Sequence, residues 1–340
     1  MKKIISILIA LSLLLSGCLV GDPGAPEIYT VTYLDLFDTV TTIRGGGENE
    51  EQFRQAAQEI YEQLRIYHRL FDIYNDYDGI SNLKTVNDNA GIVPVTVDSA
   101  IIALLRDCEQ YYELTEGKVN VAMGSVLRLW HEARSHGMEN PADARLPDKD
   151  ALAQAAQHIS FKSIVIDETA STVYISDPES SLDVGAIAKG WAAQRVAENA
   201  PEGMLISVGG NVCATGAKDD EGTPWVVGIQ NPDGGDYLQK ISIRVGAVVT
   251  SGDYQRTYTV DGEAYHHIID PQTLMPSEYW RSVTVVCADS ALADALSTAL
   301  FLLPLEDGQQ LAEKCGAQAL WLDKSGNMAS TADFKQFTGA

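Results

Sequence analysis

Apolar residues recur every three or four positions from Asn49 to Phe71, at Phe53, Ala57, Ile60, Leu64, Tyr67 and Phe71. That period lays one apolar stripe along a helix, and Asn49 and Gln52 stand at capping distance at its start. Before it, Tyr29 to Ile43 alternates and is rich in β-branched residues, which predicts a strand or hairpin ended by Gly45-Gly46-Gly47. A polar loop is expected from Asp72 to Asn89. A second helix opens at Asp98, carries Ile101, Leu104, Leu105, Cys108 and Tyr112, and stops near Gly117.

Val119 to Gly124 leads into Val126 to Trp130, and the polar, Pro-bearing stretch from His131 to Pro147 reads as a surface excursion with a helix starting near Asp148. His131 and His136 are therefore expected to be solvated. Strands are predicted at Ser163 to Asp167, Thr172 to Ser176, Met204 to Val208, Trp225 to Gln230, Ile241 to Val249, Val283 to Cys287 and Ala317 to Leu322. Helices are predicted from the Ser181–Trp191 stretch to about Asn199, over Ser290 to Leu303 and over Leu305 to Cys315. Strands and helices mix without strict βαβ alternation. The expectation is an α+β fold of layered mixed or antiparallel sheets with packed helices.

Composition adds limits. The chain has 340 residues, 45% hydrophobic, and Lys+Arg 24 against Asp+Glu 47 give a net charge of -23. Such a surface repels nucleic acid, and a phosphate-bearing ligand would need a divalent cation or local Lys/Arg. At the N-terminus, Lys2 and Lys3 precede an apolar run, Ile4 to Leu15, too short to span a bilayer. Leu15-Ser16-Gly17-Cys18 resembles the lipobox of bacterial lipoproteins. The resemblance implies a signal peptide over 1–17, diacylation of Cys18, and anchoring on the outer face of the cytoplasmic membrane. Residues 18–28 then form a Gly/Pro-rich tether and residues 29–340 the folded domain. Cys108, Cys213, Cys287 and Cys315 show no metal-knuckle or CxxC spacing and are expected to have no function.

Candidate chemistry gathers around a few stretches. His266-His267-Ile268-Ile269-Asp270-Pro271 reads as the end of a buried strand delivering imidazoles to its mouth. Thr250-Ser251-Gly252-Asp253-Tyr254 reads as a small polar turn that lets a ligand approach the backbone. Asp294 and Thr298 are four apart in a helical pattern, so both oxygens lie on one face. Asp183 to Lys189 offers an acid, a tight Gly/Ala turn and a Lys at a helix start. Gly209-Gly210-Asn211 is either a backbone floor for a ligand or a simple strand exit.

In their order, Leu182 to Gly190, Ser207 to Asn211, Thr250 to Tyr254, His266 to Pro271 and Ala293 to Leu300 resemble the FAD:protein FMN transferases, the ApbE family of flavin transferases. The resemblance implies transfer of FMN from FAD to a threonine hydroxyl of an acceptor redox protein, with release of AMP. It implies Mg²⁺ held by the Ala186 carbonyl, Asp294 and Thr298, a composition that suits a hard cation. By the same resemblance His267 is the essential histidine that deprotonates the acceptor, and His266 remains its rival. Tyr74, Asn120, Asp183, Lys189 and the Ile268 backbone align with FAD contacts, while Ser251 and Gly252 belong to a matching motif. The sequence departs from the family at Phe37-Asp38-Thr39, where Met-Gly-Thr is usual, at Asn120, where Asp is common, and at Leu274, where a glycine usually follows the threonine. An FAD pyrophosphatase and a non-catalytic FAD-binding lipoprotein are the competing readings.

Overall fold

The computed structural model describes residues 27–46 and 49–339, so the expected signal peptide, Cys18 and nearly all of the tether lie outside the described residues. The chain opens with the expected hairpin, β1 (Tyr29–Leu36) and β2 (Thr39–Gly45). Its two-residue turn, Phe37-Asp38, has both residues at positive φ (52° and 51°), the geometry that matches the right-handed twist of the flanking strands. The amphipathic helix follows as α1 (Glu50–Phe71), capped by the Asn49 side chain on the Gln52 N–H.

The segment read as a polar loop holds a short helix, α2 (Leu83–Asp88), closed by a reciprocal capping box between Asn82 and Thr85. Its few residues carry only Leu83 and Val86 into the core, too little for a period to show. Next come β3 (Val95–Thr96) and α3 (Ser99–Leu114), capped by Asp98 as expected. Then α4 (Gly124–Glu139) runs well past Trp130, which corrects the surface excursion expected from His131: nothing breaks the helix before Pro141. Asp148 caps α5 (Lys149–Ala155). The strands β4 (Ile164–Asp167) and β5 (Thr172–Ile175) join β3 in a small antiparallel sheet.

After α6 (Ala188–Ala197), strands β6 (Met204–Val208) and β7 (Asn211–Thr215) form a hairpin through Gly209-Gly210. Gly209 has φ +60, and a Cβ there would lie 2.7 Å from Thr39 Oγ1, so both conformation and space demand glycine. The single strand expected at Ile241 to Val249 is two. β8 (Trp225–Ile229) pairs with β9 (Gln239–Ile243) as a separate ribbon, while β10 (Val245–Gly252) enters the main sheet. The ribbon β11 (Tyr258–Val260) with β12 (Glu263–Tyr265) follows, then β13 (Trp280–Cys287), α7 (Ser290–Phe301), α8 (Leu305–Lys314), β14 (Gln318–Asp323) and β15 (Met328–Ser330).

The main sheet has the order β1-β2-β6-β7-β10-β13-β14-β15, and its ladders are antiparallel, in keeping with the α+β expectation. One face packs against α1, α6, α7 and α8, burying Ile43, Ile206, Val249, Val283 and Trp321. The other face is covered by the β8–β9 ribbon through Trp225, Ile229, Ile241 and Ile243. Its middle strands are thus buried on both faces, which explains their near-continuous apolar runs. The helix α7 is apolar almost all round because it lies between sheet and α6, and Asp294 is a buried acid within it.

Candidate active site

Where α6 and α7 meet, the backbones come so close that a Cβ on Gly190 would lie 2.4 Å from Asp294 Cβ. This contact fixes the carboxylate: Asp294 Oδ2 accepts from the Gly190 N–H at 2.8 Å and from Asn211 Nδ2 at 2.8 Å. Burial pushes the Asp294 pKa up, opposed by Lys189, whose Nζ is 3.9 Å from Oδ2, and by those two donors. Oδ1 has no protein donor among the described residues, and neither does the Thr298 hydroxyl have a hydrogen-bonding partner there. Asp294, Thr298 and Ala186 face one cavity of about 420 Å³.

The cavity also takes in Tyr74, Asn120, Asp183, Lys189, Ser251, Gly252, His267 and Ile268, so every site residue read from the sequence, Cys18 aside, lines it. Ser251 and Gly252 are not in a turn, as expected, but at the end of β10, paired with Val283 and Ser282. Their Ser/Gly composition imitates a turn while the ladder continues. Ser251 Oγ lies 2.8 Å from Ser297 Oγ, which donates to the Asp294 carbonyl, so β10 holds α7 in place from below.

The two histidines separate. His266 is buried, with Nε2 donating to the Ser277 carbonyl at 2.8 Å and Nδ1 accepting from the Ile268 N–H at 3.2 Å. Both of its nitrogens are occupied. His267 presents Nδ1 to the Gln255 carbonyl at 3.2 Å, so Nδ1 carries the hydrogen and Nε2 keeps its lone pair. Burial, followed by the charges of Arg256, His266, Lys189 and Arg134, pushes its pKa down to about 3. Neutral imidazole is therefore its resting form. The pair is not the end of a buried strand: it follows the small β11–β12 ribbon, on a loop tied down by Lys118, whose Nζ reaches Asp270 Oδ2 at 3.0 Å.

Two further residues of the cavity wall have local partners. Asn120 spends its side chain locally, donating to the Ile159 carbonyl at 2.8 Å and accepting from the Ala122 N–H at 2.9 Å. His131, expected to be solvated, places Nδ1 2.8 Å from the Tyr74 hydroxyl and lines the cavity, and burial lowers its pKa. Desolvation raises the Tyr74 pKa to about 12, so the phenol stays protonated. Met123, Leu127 and His131 are spaced four apart and meet the cavity together, a helix-face signal hidden by reading the chain from His131 as a surface excursion. His136, by contrast, sits with Asp143 at the surface.

Behind Tyr74 lies a chain of hydrogen bonds that the sequence did not reveal. The Phe37 N–H donates to His68 Nδ1, Tyr77 Oη lies 3.4 Å from His68 Nε2, and that hydroxyl donates to Asp72 Oδ2 at 2.8 Å. Asp72 Oδ1 accepts from the Tyr74 N–H at 2.7 Å. Burial acts to raise the Asp72 pKa, but the donors from Asn75, Tyr74 and Tyr77 outweigh it and hold the carboxyl below its usual value. The first hairpin and the Tyr74 loop are thus one connected wall.

The ApbE family model matches residues 29–321. The chain belongs to the ApbE family. A FAD:protein FMN transferase of Treponema pallidum is 35% identical over 262 residues, covering 71% of this chain and 70% of that protein. One of Klebsiella pneumoniae is 32% identical over 254 residues, covering 71% and 76%. Among solved structures, the ApbE protein of Thermotoga maritima superposes with a TM-score of 0.81 at 30% identity, over 92% of this chain and 100% of that one. The flavin transferase ApbE of Vibrio cholerae shares the fold, with a TM-score of 0.76 at 24% identity and 92% and 100% coverage. The ApbE members thus share the sheet-and-helix frame that places Asp294, Lys189 and His267 around one cavity here.

Proposed function

We infer that this protein is a FAD:protein FMN transferase that moves FMN from FAD to a threonine hydroxyl of an acceptor redox protein. The observation that carries the reading is the shared cavity: a neutral imidazole with a free Nε2 faces the same space as the Asp294–Thr298 oxygens and Lys189. The named relatives support the activity. In the proposed step the threonine oxygen forms a bond to the FMN phosphorus, the bond from that phosphorus to the bridging oxygen breaks, and AMP departs. The hydroxyl proton passes to His267 Nε2, within the role of a general base. Lys189 and the helix start at α6 face the diphosphate, and Tyr74 offers a ring to stack on a flavin or adenine.

The residues at the α6–α7 contact suit Mg²⁺. Asp294 Oδ1, the Thr298 hydroxyl and the Ala186 carbonyl form an all-oxygen donor set, which favours a hard cation. A cation held there would neutralise the diphosphate and the departing phosphate. Lipid anchoring through Cys18, on the outer face of the cytoplasmic membrane, is part of the same proposal and rests on the sequence alone.

The test is incubation of the full chain in detergent with FAD, Mg²⁺ and a threonine-bearing acceptor. Flavin fluorescence that stays with the acceptor on a denaturing gel is the expected outcome. Release of FMN and AMP without labelled acceptor would instead identify an FAD pyrophosphatase, and binding without turnover a flavin carrier.

A further inference from the structure

Arg256 and Arg134 lack partners in an acidic chain: among the described residues neither guanidinium has a hydrogen bond or an ion pair. Arg256 lies on the cavity wall, in the residue after Gln255, whose carbonyl holds His267 Nδ1 at 3.2 Å. Its φ of 49° is in the left-handed region, a strained conformation for a residue with a Cβ, and such strain concentrates at functional sites. Arg134 stands on α4, half-buried, one turn beyond His131, and lines a crevice that His131 and His267 share with the main cavity. The two charges act on each other: Arg134 has its pKa lowered by burial and then by Arg256. Asp183 is the acid whose field reaches Arg134 and His131, but it forms no ion pair with either. Two like charges held together, one of them partly desolvated, destabilise each other unless an anion lies between them.

We propose that Arg134 and Arg256, flanking the His131–His267 crevice, form a subsite for the phosphoryl oxygens of a diphosphate ligand, opposite the Asp294–Thr298 end of the cavity. The inference rests on the flavin transferase reading for the identity of that ligand, while the subsite itself stands on the arrangement of charge. A guanidinium is planar and always charged, and it matches two oxygens of a phosphoryl group at once. Placed beside His267, Arg256 meets the phosphoryl group being transferred, where charge spreads over the non-bridging oxygens as the bond to AMP breaks. Lys189 lines the same cavity and its charge also reaches the imidazole, so the diphosphate meets cations from more than one element.

The experiment uses the full chain and the variants Arg256→Gln, Arg134→Gln and Arg256→Lys, with binding of FAD, riboflavin and inorganic pyrophosphate followed by calorimetry over a range of salt concentrations. Each Gln variant should weaken FAD and pyrophosphate by about tenfold or more, as expected for a lost charge-assisted contact. Riboflavin, which has no phosphate, should bind each variant as it binds the parent. The salt dependence of FAD binding should become shallower, and Arg256→Lys should restore only part of the affinity. FAD and pyrophosphate affinities unchanged in both Gln variants would overturn the proposal, as would an equal loss of riboflavin, which would mark a structural role. If the parent binds pyrophosphate in an Arg-dependent way but not FAD, the flavin reading fails and the subsite stands.

Discussion

The surroundings of His267 set its form: a carbonyl fixes the tautomer, and burial among cations keeps the ring neutral with Nε2 free, while lowering its basicity. His267→Gln should leave FAD affinity within about twofold and slow transfer by about a hundredfold, the low end for a lost general base. A single-turnover assay with labelled acceptor reads this directly. The same shift has a consequence for stability. The imidazole pKa falls from the ordinary 6.5 to about 3 on folding, so between those values the unfolded chain takes up a proton that the folded chain refuses. Stability from this group is therefore complete above the ordinary value and declines as pH falls through the window. Urea denaturation at about pH 7 and pH 5 should show a smaller loss in His267→Gln than in the parent. Asp294 makes the complementary case, because burial pushes its pKa up and its charge costs stability when no cation is bound. Asp294→Asn should match or exceed the parent's Tm without Mg²⁺, and, if the proposed Mg²⁺ site holds, lack a Tm rise with Mg²⁺ and FAD that the parent is expected to show.

At the scale of elements, the seam between α6 and α7 governs the site. Gly190→Ala would drive a methyl against Asp294 Cβ and the Ser290 carbonyl, at 2.4 and 2.5 Å. We expect a loss of about 1–3 kcal/mol by chemical denaturation, the usual range for overpacking, together with weaker Mg²⁺ dependence of FAD binding. The seam was only half legible in the sequence. Asp294 and Thr298 showed their common face through helical spacing, yet the reason Gly190 must be glycine lies in another helix and left no local signal. The long helix α1 was plain because its stripe repeats over many turns and its cap stands at the right spacing. By contrast α2 has too few residues to repeat anything, and β9 and β10 read as one strand because a single Arg244 separates two apolar runs that belong to different sheets. His131 was lost for a related reason: a polar face on α4 looks like a loop until the helix is known to continue. The motif residues were more readable than the fold around them, since their order along the chain resembles a known family. The Asp72–Tyr77–His68 chain, assembled from a helix and two loops, offered no such pattern.

For the molecule as a whole, a net charge of -23 makes most of the surface unwelcoming to an anionic dinucleotide, and the cavity wall sets Lys118, Lys189 and Arg256 among Asp35, Asp38, Asp72, Asp183 and Asp294. The described residues contain no helix long and apolar enough to cross a membrane. Membrane attachment in the proposal therefore rests on the acyl chains expected at Cys18. Cells fed an alkyne fatty acid should label the parent and not Cys18→Ala, and the variant should shift from the membrane fraction on ultracentrifugation. Labelling that persists in Cys18→Ala would refute lipidation at that site.

The grip on the Asp294 carboxylate, one amide proton from a helix backbone and one from Asn211 on a neighbouring strand, joins scaffold and chemistry in the same few atoms. That end of the cavity is rigid before any partner arrives, and it has little freedom to drift. The opposite walls, carried on the Tyr74 and His267 loops, are held instead through single side chains, Tyr77 beside His68 of α1 and Asp270 on Lys118. Divergence among related proteins should therefore accumulate around the ring-binding and acceptor-facing sides, leaving the phosphate-handling corner as the fixed point about which new preferences are tried.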